Sequence, residues 1–307
     1  MKNRNSAPVA LCAAIFLIAL MAGCAKTIEF KPAATRTQYF EMERHVSVSM
    51  FGMSFGANET MKYRMDVKAV ADDRIEMDLI PLELTIARSN SKGMSAIFGS
   101  KLLALPEENP EVTIIRRLAG HPIHLRIKPG GTVESMSVEA PPDDKSDPRP
   151  LARGEALEKQ LQNIFINTHL MMTESILPTG EIRVGKPYKP AGRIFDDAGK
   201  VDGNLKLMMV EGIDDEGVAT LTVDPSILTA LFSDAYSNLN LDKAFPEEVN
   251  VTGKGHGRFQ YNTIRRCITS GEVSLNTQAK VESSKDLPVA VSFGLRVDIK
   301  VREIPAY

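Results

Sequence analysis

Two histidines of this chain have the spacing of metal ligands. His121 and His124 form a His-x-x-His motif, and two ligands three residues apart suit the same face of a helix. The residues around them alternate between apolar and polar, which predicts a strand, where an offset of three places the pair on opposite faces. No cluster of cysteine, aspartate or glutamate adjoins them in the sequence. We therefore predict no metal ion and no other cofactor.

A third histidine, His256, lies in the glycine-rich run Gly253-Lys254-Gly255-His256-Gly257. Phosphate-binding loops are also rich in glycine, but this run has neither the Walker spacing nor an obvious helix after it. A β-bulge or a close crossing of two strands explains the glycines better. Acidic pairs such as Asp72-Asp73 lie in predicted turns, and we find no Gly-x-Ser-x-Gly motif. We predict no catalytic residue and a protein that is not an enzyme.

Cys24 has the clearest chemical setting of the three cysteines. It closes the run Leu20-Met21-Ala22-Gly23-Cys24, which follows an uncharged apolar stretch and an N-terminus with two basic residues and no acidic one. Small residues precede the cysteine, where a peptidase must reach the backbone. These are the parts of a secretory signal peptide.

The same run resembles the lipobox of bacterial lipoproteins. The resemblance implies cleavage between Gly23 and Cys24, a diacyl group on the sulfur of Cys24 and an acyl chain on its amine, with palmitate among the chains. Two or more acyl chains hold a protein stably on a membrane, here on a periplasm-facing surface. Ala25 stands where an aspartate retains many enterobacterial lipoproteins in the inner membrane, which favours the outer membrane, although Lys26 could alter the sorting in other bacteria.

Two other interpretations of the N-terminus stay open. The apolar run from Val9 to Met21 could be a retained membrane anchor, but it has about 13 residues where a spanning helix needs roughly 20. The chain could also carry an ordinary signal peptide with a chance cysteine, since Met21 occupies the place where the lipobox favours leucine.

Charge and cysteine content narrow the classes of partner. Loss of residues 1–23 removes two of the 37 basic residues, which leaves 35 against 39 acidic ones and a net charge of −4 over 284 residues. This balance favours neither nucleic acid binding nor a disordered acidic tail. With Cys12 removed and Cys24 acylated, only Cys267 remains, so the mature chain has no internal disulfide. We predict that Cys267 is buried in a strand, although two arginines before it could lower its pKa.

Alternation of apolar and polar residues along most of the chain predicts half-buried antiparallel strands. The predicted strands cover residues 45–50, 61–70, 74–80, 122–128, 132–138, 205–213, 217–223, 255–261, 271–275, 289–293 and 295–301. Gly130-Gly131 supplies the positive φ that a tight turn needs. The predicted fold class is mostly β (α+β), with antiparallel sheets that could form a half-barrel.

Two helices interrupt the strand patterns. Apolar residues recur every three or four positions over residues 154–175, which predicts one amphipathic helix that ends before Pro178 and Gly180. A second helix is predicted over residues 225–236, with Asp224 as its N-cap and Pro225 in the first turn.

The second half of the chain resembles the first, which we interpret as a duplicated β unit. Residues 61–79 match residues 205–223, each with an Asp-Asp turn, and residues 120–135 match residues 255–261 with a second arm at 271–275. Shared turn chemistry would also explain these matches. The predicted organisation is a signal peptide (1–23), a lipidated tether (24–36), a first β unit (37–140), a linker with a helix (141–180) and a second β unit that packs on the first (181–307).

The order of these features resembles that of uncharacterised bacterial envelope lipoproteins with a β-rich domain of unknown function. The resemblance is carried by the Met/Tyr-rich first hairpin, the Gly130-Gly131 turn, the helix, Leu177-Pro178, Val184-Gly185-Lys186-Pro187-Tyr188 and Gly253-Lys254-Gly255-His256-Gly257. It implies an envelope β protein and supplies no catalytic residue. A looser analogy is with lipoprotein carriers, whose half-barrel sheet, capped by helices, holds acyl chains.

Two apolar segments, residues 50–56 and 93–99, share methionine, serine, phenylalanine and glycine. Methionine suits surfaces that accept varied apolar shapes, so we predict that these segments line the mouth of a ligand cavity. The candidate ligand-binding residues are Met50, Phe51, Met53, Phe55, Met94, Ile97 and Phe98. The alternatives are two loops that pack on the core and a surface that contacts a partner.

The sequence thus favours a membrane-anchored, non-enzymatic envelope lipoprotein that binds a hydrophobic ligand, such as a lipid, or another envelope component. The alternative is a structural or assembly scaffold of an envelope protein complex without a small ligand. An enzyme whose site assembles from distant residues ranks third.

Overall fold

The computed structural model describes residues 27–30, 35–50, 53–71, 73–89, 110–139, 153–178, 180–188, 208–223, 249–281 and 291–306. Several predictions fall outside these residues and stay predictions. They concern Gly23, Cys24, Phe51, Met94, Ile97, Phe98 and the helix over residues 225–236.

The described residues form thirteen strands and one long and one short helical segment. The strands are β1 (Thr27–Phe30), β2 (Arg36–Met50), β3 (Met53–Ala71), β4 (Arg74–Ser89), β5 (Ile123–Ile127), β6 (Val133–Val138), β7 (Gly180–Arg183), β8 (Pro187–Tyr188), β9 (Met208–Ile213), β10 (Val218–Val223), β11 (Val249–Asn262), β12 (Cys267–Val281) and β13 (Val291–Ile304). The short helix is α1 (Pro110–Arg117). The long segment comprises α2 (Glu155–Leu161), a π-helical stretch (Gln162–Ile166) and α3 (Asn167–Met172).

Eleven strands form one antiparallel sheet, in the order β6-β5-β4-β3-β2-β13-β12-β11-β10-β9-β8, while β1 pairs with β7 in a separate ribbon. Two meanders, β2 to β6 and β8 to β13, meet where β2 pairs with β13. The predicted mostly β fold with antiparallel sheets is confirmed, and the large sheet is open because β6 and β8 are its two edges.

One face of the large sheet, which we call the inner face, is apolar. Most of the described inward-facing residues, every second residue of the long strands, are buried there, as the alternation of the sequence requires. Examples are Phe40 and Met42 on β2, Tyr63 on β3, and Ile299 and Val301 on β13. We call the sheet end near Arg36 and Ile304 the lower end, and the end near Met50 and Phe293 the upper end.

The sheet curves around the residues that follow α3. An added Cβ at Gly131, in the β5–β6 turn, would lie 2.5 Å from Oγ of Ser175. Tyr188 of β8 donates a hydrogen bond at 3.1 Å to the carbonyl of Ile176, the residue that follows Ser175. In a flat sheet, nine spacings of about 4.8 Å would separate β5 from β8 by about 43 Å. Gly131 and Tyr188, near the two edges of the sheet, can contact the consecutive residues Ser175 and Ile176 only because the sheet is strongly curved.

The predicted helix over residues 154–175 is present between Glu155 and Met172, with the π-helical stretch in its middle. Its apolar stripe includes Leu157, Leu161 and Phe165, which are fully or almost fully buried. None of the helices in the described part of the chain has the length and apolar character that a membrane crossing requires.

Three details of the sequence prediction differ from the structure. The strands predicted over 289–293 and 295–301 belong to the single strand β13. The glycine run of β11 pairs regularly, and the irregularity of that ladder lies further on, between Gln260 and Tyr261. The duplication is not confirmed: β5 and β6 have 5 and 6 residues, whereas the matched β11 and β12 have 14 and 15.

Candidate functional site

The lower part of the inner face is filled by the long helical segment. Tyr63 of β3 contacts Phe165 and His169, with ring centroids 5.8 and 5.1 Å apart. Across the sheet, Met172 lies near Gly271 of β12, whose missing side chain makes room for the ring of Phe259. These contacts lie at or below the row of Met42 and Met61, so this part of the face is a packed core.

Directly above that row, an ion pair interrupts the apolar surface. Arg44 of β2 lies opposite Glu59 of β3 and opposite Ile299 of β13, and Glu59 lies opposite Ile86 of β4. Nε of Arg44 donates a hydrogen bond to Oε2 of Glu59 at 2.7 Å, and Nη2 contacts the same oxygen. Two opposite charges therefore stand side by side in a row of buried isoleucines.

Exposure sets this ion pair apart from its surroundings. The side chains of Arg44 and Glu59 are 22% and 19% exposed. Around them, Met61, Ile86 and Ile299 are at most 4% exposed. Val46 and Ala57, the next pair above, are also half-buried rather than buried. We call Arg44, Val46, Ala57 and Glu59 the Arg44 patch, and its side chains are partly exposed on a face where most of the described side chains are buried.

Glycines lie in the same rows of the sheet as the Arg44 patch. Gly257 of β11 lies opposite Val273, which lies opposite Ile299, the neighbour of Arg44. Gly255 belongs in the same way to the row of Val46. Because glycine carries no side chain, another group can approach the backbone closely at these positions. His256 between them is exposed on the outer face.

Apolar walls with one polar pair are the usual composition of a site for a small hydrophobic molecule. Methyl groups hold the apolar part by excluding water, while a guanidinium and a carboxylate fix a polar group. Above the patch the inner face stays apolar and buried at Val48, Leu295 and Val297. The arrangement can therefore bind and orient an amphiphile.

The register places three predicted ligand residues at the upper end of the same two strands. Met50 ends β2 opposite Met53 of β3, and Phe55 lies opposite Val48. The prediction that these residues bind a ligand stays a prediction. The patch itself lies two to six residues below them on each strand.

At the lower end, a buried polar cluster surrounds Arg36. Nη2 of Arg36 lies 3.8 Å from Oε1 of Glu174, and Nε2 of Gln38 lies 3.5 Å from the sulfur of Cys267. Burial raises the pKa of Glu174, which the charge of Arg36 opposes. Burial also raises the pKa of Cys267, so its thiol is protonated and unreactive. Cys267 is buried in β12, as predicted, and the cluster has the character of a core network.

On the outer face, His124 is the centre of a charged row. Its Nδ1 lies 2.7 Å from Oδ1 of Asp78 and its Nε2 lies 3.4 Å from Oε1 of Glu139. The hydrogen bond with Asp78 is the main cause that raises the pKa of His124. Lys68 lies 3.4 Å from Asp78, and Lys68, Asp78 and His124 line an open groove of about 470 Å³. Acidic and basic side chains alternate in this row, which is typical of a solvated sheet face.

The two histidines of the His-x-x-His motif do not form a common site. His124 is on β5, whereas His121 lies in the turn before that strand. Within the described ranges, no three or more His, Cys, Asp or Glu side chains are grouped so that they could hold a metal ion.

No protein-family model matches this chain, and no curated protein matches it in sequence. Among solved structures it is similar to lipovitellin, in a structure of lipid–protein interactions, with a TM-score of 0.37 and 10% identity over 91% of this chain and 26% of lipovitellin. A DUF1329 family protein from Desulfovibrio piger gives a TM-score of 0.14 at 7% identity, over 96% of this chain and 94% of that one. DynF from the dynemicin pathway of Micromonospora chersina gives 0.16 at 9%, over 90% and 85%.

This chain therefore spans about a quarter of the length of lipovitellin. All three TM-scores are below 0.5, so none of these similarities carries an argument about a ligand.

Neither Arg44 nor Glu59 is among the site residues predicted from the sequence. Both could have been recognised in the sequence, because each charged residue takes a position where the alternation of its strand calls for an apolar residue. Positions 40, 42, 46 and 48 of β2 are Phe, Met, Val and Val, and position 44 is the exception. Positions 57, 61, 63 and 65 of β3 are Ala, Met, Tyr and Met around Glu59. Alternation alone therefore identifies a charged residue on the buried side of each of two neighbouring strands.

Proposed function

We propose that this chain is a lipid-anchored, non-enzymatic envelope lipoprotein that binds a hydrophobic molecule on the inner face of its sheet. The observation that carries the proposal is the Arg44 patch, where an ion pair and two apolar residues are partly exposed on a face where most of the described side chains are buried. An isolated protein gains little from an ion pair on an apolar face, because the desolvation of both charges offsets their attraction. A ligand that uses the pair would explain its position.

Binding explains the residues of the patch better than catalysis does. Arginine, glutamate, valine and alanine offer a cation, an anion and methyl groups. Within the described residues, the Arg44 row contains no serine, cysteine or histidine that a base could activate as a nucleophile.

The proposed anchor would hold the lower end of the sheet close to the membrane. Three residue steps of at most about 3.6 Å separate Cys24 from Thr27, the first residue of β1. β1 falls inside the predicted tether, and its Ile28 and Phe30 are buried. Phe30 packs on Tyr261 at the lower end of β11, with ring centroids 4.8 Å apart. An acyl group on Cys24 would therefore be within about 11 Å of the folded body.

Organic extraction and mass spectrometry test the proposed binding. The protein is residues 24–307 with Cys24→Ser, exported through an ordinary cleavable signal, so that it is unacylated and free of detergent. We expect a co-purifying lipid in near-stoichiometric amount. Ala57→Phe should displace it by filling the patch, whereas Asn58→Phe, on the exposed face of the same strand, should retain it. Absence of lipid from the folded protein, and no uptake of a neutral apolar dye, would argue against the proposal.

A scaffold for an envelope complex is the second candidate, favoured by the free edge of the sheet. Among the described strands, β6 pairs with β5 on one side and with no strand on the other. An open edge can accept a strand from another protein. Stoichiometric co-purification of an envelope protein, without lipid, would support this candidate.

A further inference from the structure

Ile264, in the turn between β11 and β12, is the most exposed large apolar residue in the described part of the chain. Its exposed fraction is 77%, and the next is Met209 at 37%. The side-chain oxygen of Asn262 accepts hydrogen bonds from the backbone N–H groups of Ile264 and Arg265, at 3.0 and 2.8 Å. The turn therefore holds a branched apolar side chain in solvent at a defined position.

Further contacts fix this turn to its surroundings. Thr263 donates two hydrogen bonds to the carbonyl of Gly217, from its N–H at 3.0 Å and from its hydroxyl at 2.7 Å. Arg265 donates two to the carboxylate of Glu303, at the lower end of β13. Among the described residues, Arg266 is the one residue other than glycine with positive φ, 56°. Backbone strain of this kind occurs often at functional sites.

The turn lies at the end of the sheet to which the proposed anchor leads. Phe30, the last residue of β1, packs on Tyr261 with ring centroids 4.8 Å apart. Cys24 precedes Phe30 by six residues, and Tyr261 precedes Ile264 by three. At no more than about 3.6 Å per residue, Cys24 is within about 22 Å of Phe30, and Ile264 is within about 11 Å of Tyr261. A membrane that holds Cys24 is therefore within reach of the turn.

The charges around Ile264 indicate which lipid surface it can meet. Arg265 and Arg266 are exposed in the turn, and Glu303 is the partner of the first. The adjoining β9–β10 turn adds three exposed acidic residues at positions 214–216. Two basic and four acidic side chains give a net charge of −2, which disfavours an anionic surface. A zwitterionic surface has no net charge, and its acyl boundary accepts an apolar side chain.

We infer that the β11–β12 turn touches the membrane that holds the anchor, with Ile264 inserted at the acyl boundary of a zwitterionic lipid surface. The inference rests on the proposed function, through the anchor at Cys24, and adds the orientation of the folded body. Arg266 reaches toward the lipid phosphates while the isoleucine lies deeper. The lower end of the sheet then faces the membrane, and the upper end with Met50 and Phe55 faces away from it.

A chain without tryptophan permits a direct measurement of this contact. The full chain, expressed with its own signal so that Cys24 is acylated, is reconstituted in phosphatidylcholine vesicles with brominated acyl chains. It carries one tryptophan, as either Ile264→Trp or Ser54→Trp. Circular dichroism checks the fold of both variants.

Ser54 provides the matched control position. It is exposed near the upper end of β3, twelve residues from Asp66 at the lower end, which is about 40 Å at 3.3 Å per residue. We expect bromine to quench the emission of Ile264→Trp and to leave that of Ser54→Trp unchanged. The same indole at both positions controls for the affinity of tryptophan itself for a lipid interface.

The lipid class has its own test. Vesicles that also contain phosphatidylglycerol, at the same content of brominated lipid, should quench Ile264→Trp less, because the two turns carry a net negative charge. Stronger quenching in these vesicles would overturn the choice of a zwitterionic surface.

The outcomes distinguish this inference from the proposed function. Unquenched Ile264→Trp in protein that floats with the vesicles would overturn the contact and leave the anchor intact. Equal quenching at both positions would overturn the orientation. Shielding of Ile264→Trp from acrylamide by a co-purified protein, without quenching by bromine, would assign the turn to a protein partner instead. Folded protein that does not float with vesicles would remove the anchor and with it that part of the proposed function.

Discussion

Tyr63 and His169 meet in the core, where the phenol oxygen lies 2.7 Å from Nδ1 of the imidazole. Tyr63 is on β3 and His169 is on α3, so this contact ties the long helical segment to the centre of the sheet. Burial, and secondly the charge of Arg36, lower the pKa of His169 to about 3. The imidazole is therefore neutral in the folded protein near pH 7, and its Nδ1 can accept a hydrogen bond from Tyr63.

We expect His169 to make the protein less stable as the pH falls from 7 to 5. Below its ordinary pKa of 6.5, the unfolded chain binds a proton at His169 that the folded protein excludes, so acid favours unfolding. The stabilisation is complete above pH 6.5, and about 2 kcal/mol of it is lost by pH 5.

His169→Gln removes the titrating ring and provides the comparison. Its free energy of unfolding, measured with urea at pH 7 and pH 5, should fall less on acidification than that of the wild type. Since the other histidines are present in both proteins, their contributions cancel in the difference. The same pH dependence in both proteins would show that His169 is accessible to protons in the folded state.

Gly131 tests the curvature of the sheet. Both Gly131 and Gly120 have positive φ, 79° and 81°, so alanine is strained at either position. Only at Gly131 would the new Cβ also collide, 2.5 Å from Oγ of Ser175. We expect Gly131→Ala to lower the free energy of unfolding by about 1–3 kcal/mol more than Gly120→Ala, measured by chemical denaturation. Ser175→Ala should recover part of the excess, and equal losses in the two glycine variants would contradict the close approach.

Gly271 tests the packing of β11 against β12. A Cβ at Gly271 would lie 2.4 Å from the ring of Phe259, which is 1% exposed and cannot move into solvent. Gly271→Ala should therefore cost about 1–3 kcal/mol through overpacking. Gly212→Ala on β9 is the matched control, because nothing lies within 4 Å of its new Cβ. Thermal midpoints of the two variants measure the difference, and a stable Gly271→Ala protein would place Phe259 elsewhere.

Cys24 tests the membrane anchor. Cys24→Ser removes the thiol that acylation requires, so the protein should lose incorporation of labelled palmitate and no longer sediment as a lipid-anchored protein. Cys267→Ser is the control, since Cys267 is buried and should not be acylated. It should incorporate palmitate and fractionate with membranes like the wild type. Acylation of the Cys24→Ser protein would contradict the lipobox interpretation.

Local sequence patterns predict most of the secondary structure. Alternation over residues 45–50, 61–70 and 74–80 predicts segments that lie inside β2, β3 and β4. The Gly130-Gly131 pair marks a turn in which both residues have positive φ. The helix over residues 154–175 is also readable, because a 3.6-residue period is a property of neighbouring positions. Each of these signals needs only the chemistry of a few consecutive residues.

Strand order was decided only by the tertiary structure. Alternation predicts strands over residues 45–50, 289–293 and 295–301, but it does not show that β2 pairs with β13 at the centre of the sheet. Such pairings join distant segments, and their free energy depends on packing that no local window contains. The curvature follows from the same packing, because it appears only when both sides of the sheet meet the residues after α3.

In the candidate site, too, the sequence and the tertiary structure each determine a different property of Arg44 and Glu59. The sequence by itself determined that Arg44 and Glu59 interrupt the apolar phases of their strands. It also determined that Cys24 follows a secretory signal. Only the tertiary structure decided that Arg44 and Glu59 lie opposite each other, 22% and 19% exposed beside Met61, Ile86 and Ile299, which are at most 4% exposed. The reason is physical: the phase of a side chain is set by its own strand, whereas its partner, burial and charge balance are set by the strands on either side.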